Sequence, residues 1–276
     1  MRLPTAVRTI AIAIGALAAT TAMAATRPGS VTLRGLGGFA TLGHGQINRQ
    51  IESQRAAFLA DTLLEDATWN PLGGAASVGV ELDAQVTPLV SVGFAYSTQR
   101  GSRRNEAART FSVDEFGEPA EFELFQEEPR FSAWDLTGTV GLWVPSAPGF
   151  YFGGQLGLVR GTFSTQTVHI FSTFSGEFTQ QTWGTWTGTG LVAGVYTGYE
   201  QPVSSALSVS TRLGYRHRQV RHPEGLLRIL HLDENEGTSY EWEQGPLLDA
   251  QGNPMKLDLG GYYFNVALSV RLGGAD

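Results

Sequence analysis

The residues with which this 276-residue chain could do acid–base, nucleophilic or metal chemistry are few and scattered. It has no cysteine, which excludes thiolate nucleophiles, zinc–thiolate sites and disulfides. Four of its histidines, His44, His169, His222 and His231, fall in connecting segments without a Ser or Asp at a spacing that would make a nucleophile and base. The run Asp233-Glu234-Asn235-Glu236 offers oxygens that suit hard cations but lacks the alternating spacing of a calcium loop. These residues predict no catalytic centre, no resident metal and no cofactor.

A second set of charges is more informative. Glu81, Asp83, Asp135, Glu200, Arg212, Arg216 and Arg271 each sit in a stretch where large apolar residues alternate with Gly, Ser, Thr or charge. Side chains two apart share a face of a β-strand, so the charges belong to the face that carries the small residues. They could form an interior ion-pair network that locks the fold, or line a narrow, gated ion path. An interior that side chains can fill favours the lock.

The elements that position these residues follow from the same period of two. In the last strand Tyr262, Phe264, Val266, Leu268, Val270 and Leu272 alternate with Gly261, Tyr263, Asn265, Ala267, Ser269 and Arg271. Seven further segments repeat the pattern: Val31–Leu42, Ser77–Asp83, Val90–Ser97, Trp134–Val144, Phe150–Leu158, Gly190–Glu200 and Leu207–Arg216. The first is blurred by Gly35, Gly37 and Gly38, where a bulge is expected. Connections alternate between short turns, at Thr87-Pro88, Pro145–Gly149 and Gln201–Ser205, and long loops at Gly43–Ala75, Gly101–Arg130, Ser164–Thr185 and Val220–Leu259. The reading is all-β: an eight-stranded antiparallel up-and-down transmembrane β-barrel with a short helix in the first long loop. A soluble barrel would reverse the faces, with apolar residues inside and charges outside.

The chain begins with a different kind of segment. Arg2 and Arg8 precede the uncharged run Thr9–Ala19 and then Ala22-Met23-Ala24, the layout of a cleaved export signal. The run is shorter than the roughly 20 apolar residues of a spanning helix. The expected organisation is a signal peptide at 1–24 and one barrel domain at 25–276. A formal net charge of −7 argues against nucleic-acid binding, which needs a basic face.

Signal, alternating strands and the closing segment Gly261–Leu272 together resemble the small outer-membrane β-barrels of Gram-negative bacteria, the OmpA/OmpX/opacity-like superfamily. The resemblance covers essentially residues 25–276 and implies an outer-membrane location and contact with lipid and lipopolysaccharide. It also implies assembly by the outer-membrane insertion machinery, with Gly261, Tyr262, Phe264, Val270 and Leu272 as the assembly signal. The family's signal commonly ends the chain on Phe or Trp, whereas Gly273-Gly274-Ala275-Asp276 follow here. One group of lipid A-modifying members uses a His with a Ser two positions later; His217 is followed by Arg218-Gln219, so the Ser is missing.

The remaining expectations concern the loops. Gln46–Asp66, free of Gly and Pro, predicts a helix that presents Ile47, Ile51 and Phe58 on one face. It would cover the barrel mouth or lie among headgroups with Arg49 and Arg55 on phosphates. The second loop runs from arginines (Arg100, Arg103, Arg104, Arg109) to carboxylates (Asp114 to Glu128). The expected function is a monomeric structural or surface-interaction protein with a filled interior. The alternative is a narrow carrier or binder of a small or apolar ligand under the helix, and an envelope lipid enzyme is the third.

Overall fold

The computed structural model describes residues 28–43, 45–59, 64–68, 70–113, 115, 119–173, 176–235, 237–249 and 251–272. The segment 1–24, expected to be an export signal, and the terminal Gly273–Asp276 lie outside them. In chain order the elements are β1 (Val31–Thr41), α1 (Gly45–Leu59), β2 (Leu64–Thr68), β3 (Gly74–Thr87), β4 (Val90–Ser102), β5 (Asn105–Val113), β6 (Pro119–Trp143) and β7 (Phe150–Thr173). They continue with β8 (Gly176–Pro202), β9 (Leu207–Val220), β10 (Glu224–Asp233), β11 (Gly237–Pro246), β12 (Leu257–Asp258) and β13 (Gly261–Leu272).

The described residues therefore hold thirteen strands rather than the eight expected, all in one antiparallel sheet. The eight expected segments are β1, β3, β4, β6, β7, β8, β9 and β13. Each pairs with two others of this set, and β13 pairs back to β1, so the pairings form a ring. The register of β1 runs unbroken from Val31 to Ala40 against β13, so the bulge expected at its glycines is absent. A register shift occurs instead near the end of β3, between Gln85 and Thr87.

The extra strands come from the long connections, which are mostly not loops. β7 and β8 run on together to Thr173 and Gly176, taking in the described residues of Ser164–Thr185. β6 begins at Pro119 and pairs with β7 from Phe122 onward, while β5 pairs with β6 and β2 with β5. β10 joins β8 and carries β11, whose other edge has no strand partner among the described residues. A sheet of seven strands thus continues beyond the ring on the side away from the short turns.

Which face is outward follows from alternation. On β13 Tyr262, Phe264, Val266, Leu268, Val270 and Leu272 are exposed, and Tyr263, Asn265, Ala267 and Ser269 are buried. The same polarity holds on β3, where Val78, Val80 and Leu82 point out while Ser77, Glu81 and Asp83 are buried. Aromatic pairs flank this outward apolar band: Tyr96 with Trp134 and Tyr215 with Tyr262 towards the sheet extension, Phe150 with Tyr199 by the short turns. No helix among the described residues is long and apolar enough to cross a membrane.

Two apolar clusters pack in the interior. In one, Tyr151, Tyr196 and Tyr263 pack with Ala40 and, partly buried, Trp143. Towards the extension a larger apolar cluster includes Leu42, Ile47, Ile51, Leu72, Phe131, Val159, Phe163, Trp186, Val220, Leu247, Met255, Leu257 and Leu259. The chain after β11 therefore folds back onto this cluster, where Leu257 pairs with Val220 of β9.

Candidate functional site

Charged side chains form a buried network in the same interior. Glu81 on β3 is its centre: Arg212 donates to it through both terminal nitrogens, at 2.6 and 2.8 Å, and Arg34 donates at 3.2 Å. Arg34 also pairs with Asp83 and, at 3.0 Å, with Glu200. A second group forms around Asp135, which takes Arg218 at 2.7 Å and Arg216 at 3.3 Å. Hydroxyls add a bond to three of the carboxylates: Thr139 donates to Asp83, Ser97 to Asp135 and Ser208 to Glu200. Four guanidinium groups thus meet four carboxylates, all with side chains less than 10% exposed. A buried charge left alone costs several kcal/mol, so neutrality here is a condition of folding.

Six of the seven residues expected to form this network are in it. Arg271 is the correction: it is partly exposed near the short turn after β8 and pairs with no network carboxylate among the described residues. Arg34 and Arg218 take the place it was expected to fill. Arg34 sits beside Gly35, where alternation could not be read; Arg218 lies two residues beyond Arg216 and continues the same face, so the period of two could have found it.

The buried tyrosines pack against the network. The Arg212 guanidinium lies 4.1 Å from the Tyr196 ring centroid and that of Arg216 4.0 Å from Tyr263, close enough for cation–π attraction. Room for these rings comes from inward glycines. A Cβ on Gly153 would fall 2.2 Å from the Tyr196 ring, and one on Gly214 2.7 Å from Tyr263. Gly153→Ala is expected to cost about 1–3 kcal/mol by displacing Tyr196, as overpacking does; urea unfolding in micelles would check it.

Helix α1 is placed by specific bonds. Asn48 and the Leu72 backbone exchange two hydrogen bonds, Asn48 Nδ2 to Leu72 O at 3.1 Å and Leu72 N to Asn48 Oδ1 at 3.0 Å. Gln46 Oε1 accepts the Lys256 backbone N–H at 2.8 Å. Ile47 and Ile51 are buried in the upper apolar cluster, while the side chain of Phe58 lies outside the described residues. The helix ends at Leu59 rather than Asp66, and Leu64–Thr68 pairs as a strand with β5.

Under this helix lies a cavity of about 360 Å³. Ile47, Ile51, Phe163, Trp186 and Met255 give it apolar walls, and Glu127 and Glu243 are its charged lining. Glu127 is on the same face of β6 as Phe131 and Asp135, above the outward Trp134 that ends the apolar band. Burial pushes its carboxyl above the ordinary range, partly offset by hydrogen bonds from Asn105 and Thr165. A folded-state pKa raised this way keeps the proton to higher pH than in the unfolded chain. Stability is therefore lost as pH rises from the ordinary carboxylate range through the raised value. Glu127→Gln is expected to remove that loss, so the variant should gain stability over the parent across this window and match it at lower pH; unfolding measured against pH checks both.

The other reactive residues are dispersed. His169 bonds to Glu123, which Arg109 also holds, and the described residues place no hydroxyl on the other nitrogen of its ring. His217 points outward from β9, and His231 lies against Phe178. Of the acidic run of the second connection, Glu121, Glu123, Glu127 and Glu128 lie along β6, with Glu121 bonded to Ser112 and Glu128 to Arg130. Among the described residues no group of three or more His, Asp or Glu is placed to hold a metal ion.

No family model and no curated protein sequence matches the chain. Among solved structures it is similar to a major outer membrane protein from Thermus thermophilus, at 10% identity and TM-score 0.42, over 89% of this chain and 100% of that one. It is also similar to Ail, the attachment invasion locus protein of Yersinia pestis, at 9% identity and TM-score 0.40, over 88% and 99%. CarO of Acinetobacter baumannii aligns at 12% identity and TM-score 0.33, over 72% and 96%. Likeness at this level carries no function across.

Proposed function

We propose that the chain is an integral outer-membrane protein of a Gram-negative envelope, with the ring of eight strands as a closed, membrane-spanning barrel. Its role on this reading is structural or surface-interacting rather than that of a wide pore. One observation carries it: the large apolar residues face out in a continuous band while the charges are paired inside. That is the polarity of a barrel in lipid and the reverse of a soluble one. The balanced pairing of charges in the interior supports a filled barrel rather than a wide aqueous path.

The sheet extension and its rim supply the interaction surface. Arg100, Arg130 and Arg160 project outward just beyond the aromatic band, on the neighbouring strands β4, β6 and β7, where phosphates of lipopolysaccharide would meet them. β11 presents Tyr240 and Trp242, more than half exposed, beside its open edge. The outward residues of β13 fit the assembly signal read by the insertion machinery, and its pairings to β1 and β9 complete the ring.

The test is to incorporate the full chain into planar bilayers of phospholipid and lipopolysaccharide. Stable insertion with no ion conductance is expected. Discrete conductance steps would overturn the filled interior, and recovery of the folded chain as a soluble species would overturn the membrane reading. The cavity under α1 favours a second reading, in which the mouth of the closed barrel binds a small molecule without passing it through.

A further inference from the structure

The lining of the cavity under α1 selects among small molecules. Its volume of about 360 Å³ suits a compact ligand, since such sites commonly run from roughly 300 to 1,000 Å³. Phe163 and Trp186 stack along one wall, with ring centroids 6.1 Å apart and planes 25° apart. Charge enters the lining only as carboxylate, and no Arg, Lys or His lines it among the described residues.

Glu127 is the unusual member. Its carboxylate is buried and accepts hydrogen bonds from Asn105 Nδ2 and Thr165 Oγ1, both long at 3.4 Å. No cation lies within ion-pair distance of it among the described residues, whereas every buried carboxylate of the interior network has an arginine. A buried carboxylate without a counter-charge is poorly stabilised when ionised. A bound cation would supply that charge and could rest against the face of Trp186. An anion would meet two carboxylates, and a neutral ligand would leave Glu127 as it is.

We propose that this cavity binds a small organic monocation, an amine or guanidine on a compact aromatic or aliphatic body. The proposal deepens the second reading above and rests on it. It concerns Glu127 as the charge partner, Glu243 as the second carboxylate at the rim, and Trp186, Phe163, Ile47 and Met255 as the apolar seat.

Calorimetric titration of the full chain in micelles tests it, with 2-phenylethylamine, 2-phenylethanol and phenylacetate as probes of one shape and three charges. The amine is expected to bind saturably, one per chain, and the alcohol at least about tenfold more weakly, as loss of a hydrogen bond to a charged group implies. Phenylacetate should not bind. Glu127→Gln should weaken the amine about 10- to 100-fold and leave the alcohol unchanged. Thr182→Trp, which fills the cavity from β8, should abolish binding of both, with folding of each variant confirmed by its electrophoretic mobility. Equal binding of amine and alcohol, unaffected by Glu127→Gln but lost in Thr182→Trp, would overturn the cation preference and leave the binder reading standing. Amine binding that survives Thr182→Trp would overturn the proposed site. No saturable binding of any probe to the folded parent chain would overturn both.

Discussion

Glu81→Leu is expected to destabilise the fold by about 3–5 kcal/mol, because it strands the buried Arg212 guanidinium and takes one carboxylate from Arg34. Arg212 loses both of its bonds to Glu81, and Arg34 keeps only Asp83 and Glu200. The penalty is that of an unpaired charge, which a partner substitution can remove. Adding Arg212→Met to Glu81→Leu restores the balance of charges, so the double variant should be more stable than Glu81→Leu alone. Urea unfolding of the parent, both single variants and the double variant in micelles closes the cycle. Additive losses would mean that the network is not coupled as its geometry requires.

Leu268→Arg is expected to cost about 2–4 kcal/mol in a bilayer, the penalty of a cation near the middle of a lipid-facing strand. Leu268 is 54% exposed and pairs with Val209 and Gly35, far from both ends of β13. If the outward band faced water, the same change would touch no partner and fall within about 0.5 kcal/mol. The experiment therefore separates the membrane barrel from a soluble one by its sign and size. Unfolding equilibria in vesicles for the parent and the variant give the number.

What could be read from sequence was whatever alternated cleanly. β13, β3 and β9 carry large apolar residues on one face and small or charged ones on the other, and period alone placed both faces of each. β1 failed at Arg34 because Gly35, Gly37 and Gly38 carry no side chain to mark a face. The stretch Ser164–Thr185 read as a loop because it mixes Thr, Gln and Phe, and as paired strands most of its residues are only half-buried on either side. Outside the apolar band the two faces meet similar surroundings, so alternation fades although the strands continue. Leu64–Asp66, the end of the expected helix, is strand because its local pattern is ambiguous and its pairing with β5 is a distant contact. The cavity was legible only as a place, under Ile47 and Ile51. Glu127 and Glu243 looked like members of solvated acidic runs until folding brought them to one space.

The interior pairs also have a consequence in time. Arg34 lies on the first strand of the ring, and its partner Glu200 is 166 positions along the chain; Arg212 reaches back 131 positions to Glu81. Contacts this distant in sequence cannot form until nearly all intervening strands have docked. They belong to the last stage of assembly and contribute little to the folding transition state. Removing one should leave the folding rate nearly unchanged and accelerate unfolding instead, as expected where the transition state has not yet formed the interaction. On that account the charge network is a kinetic latch: it governs how long a finished barrel persists, not how fast one is made.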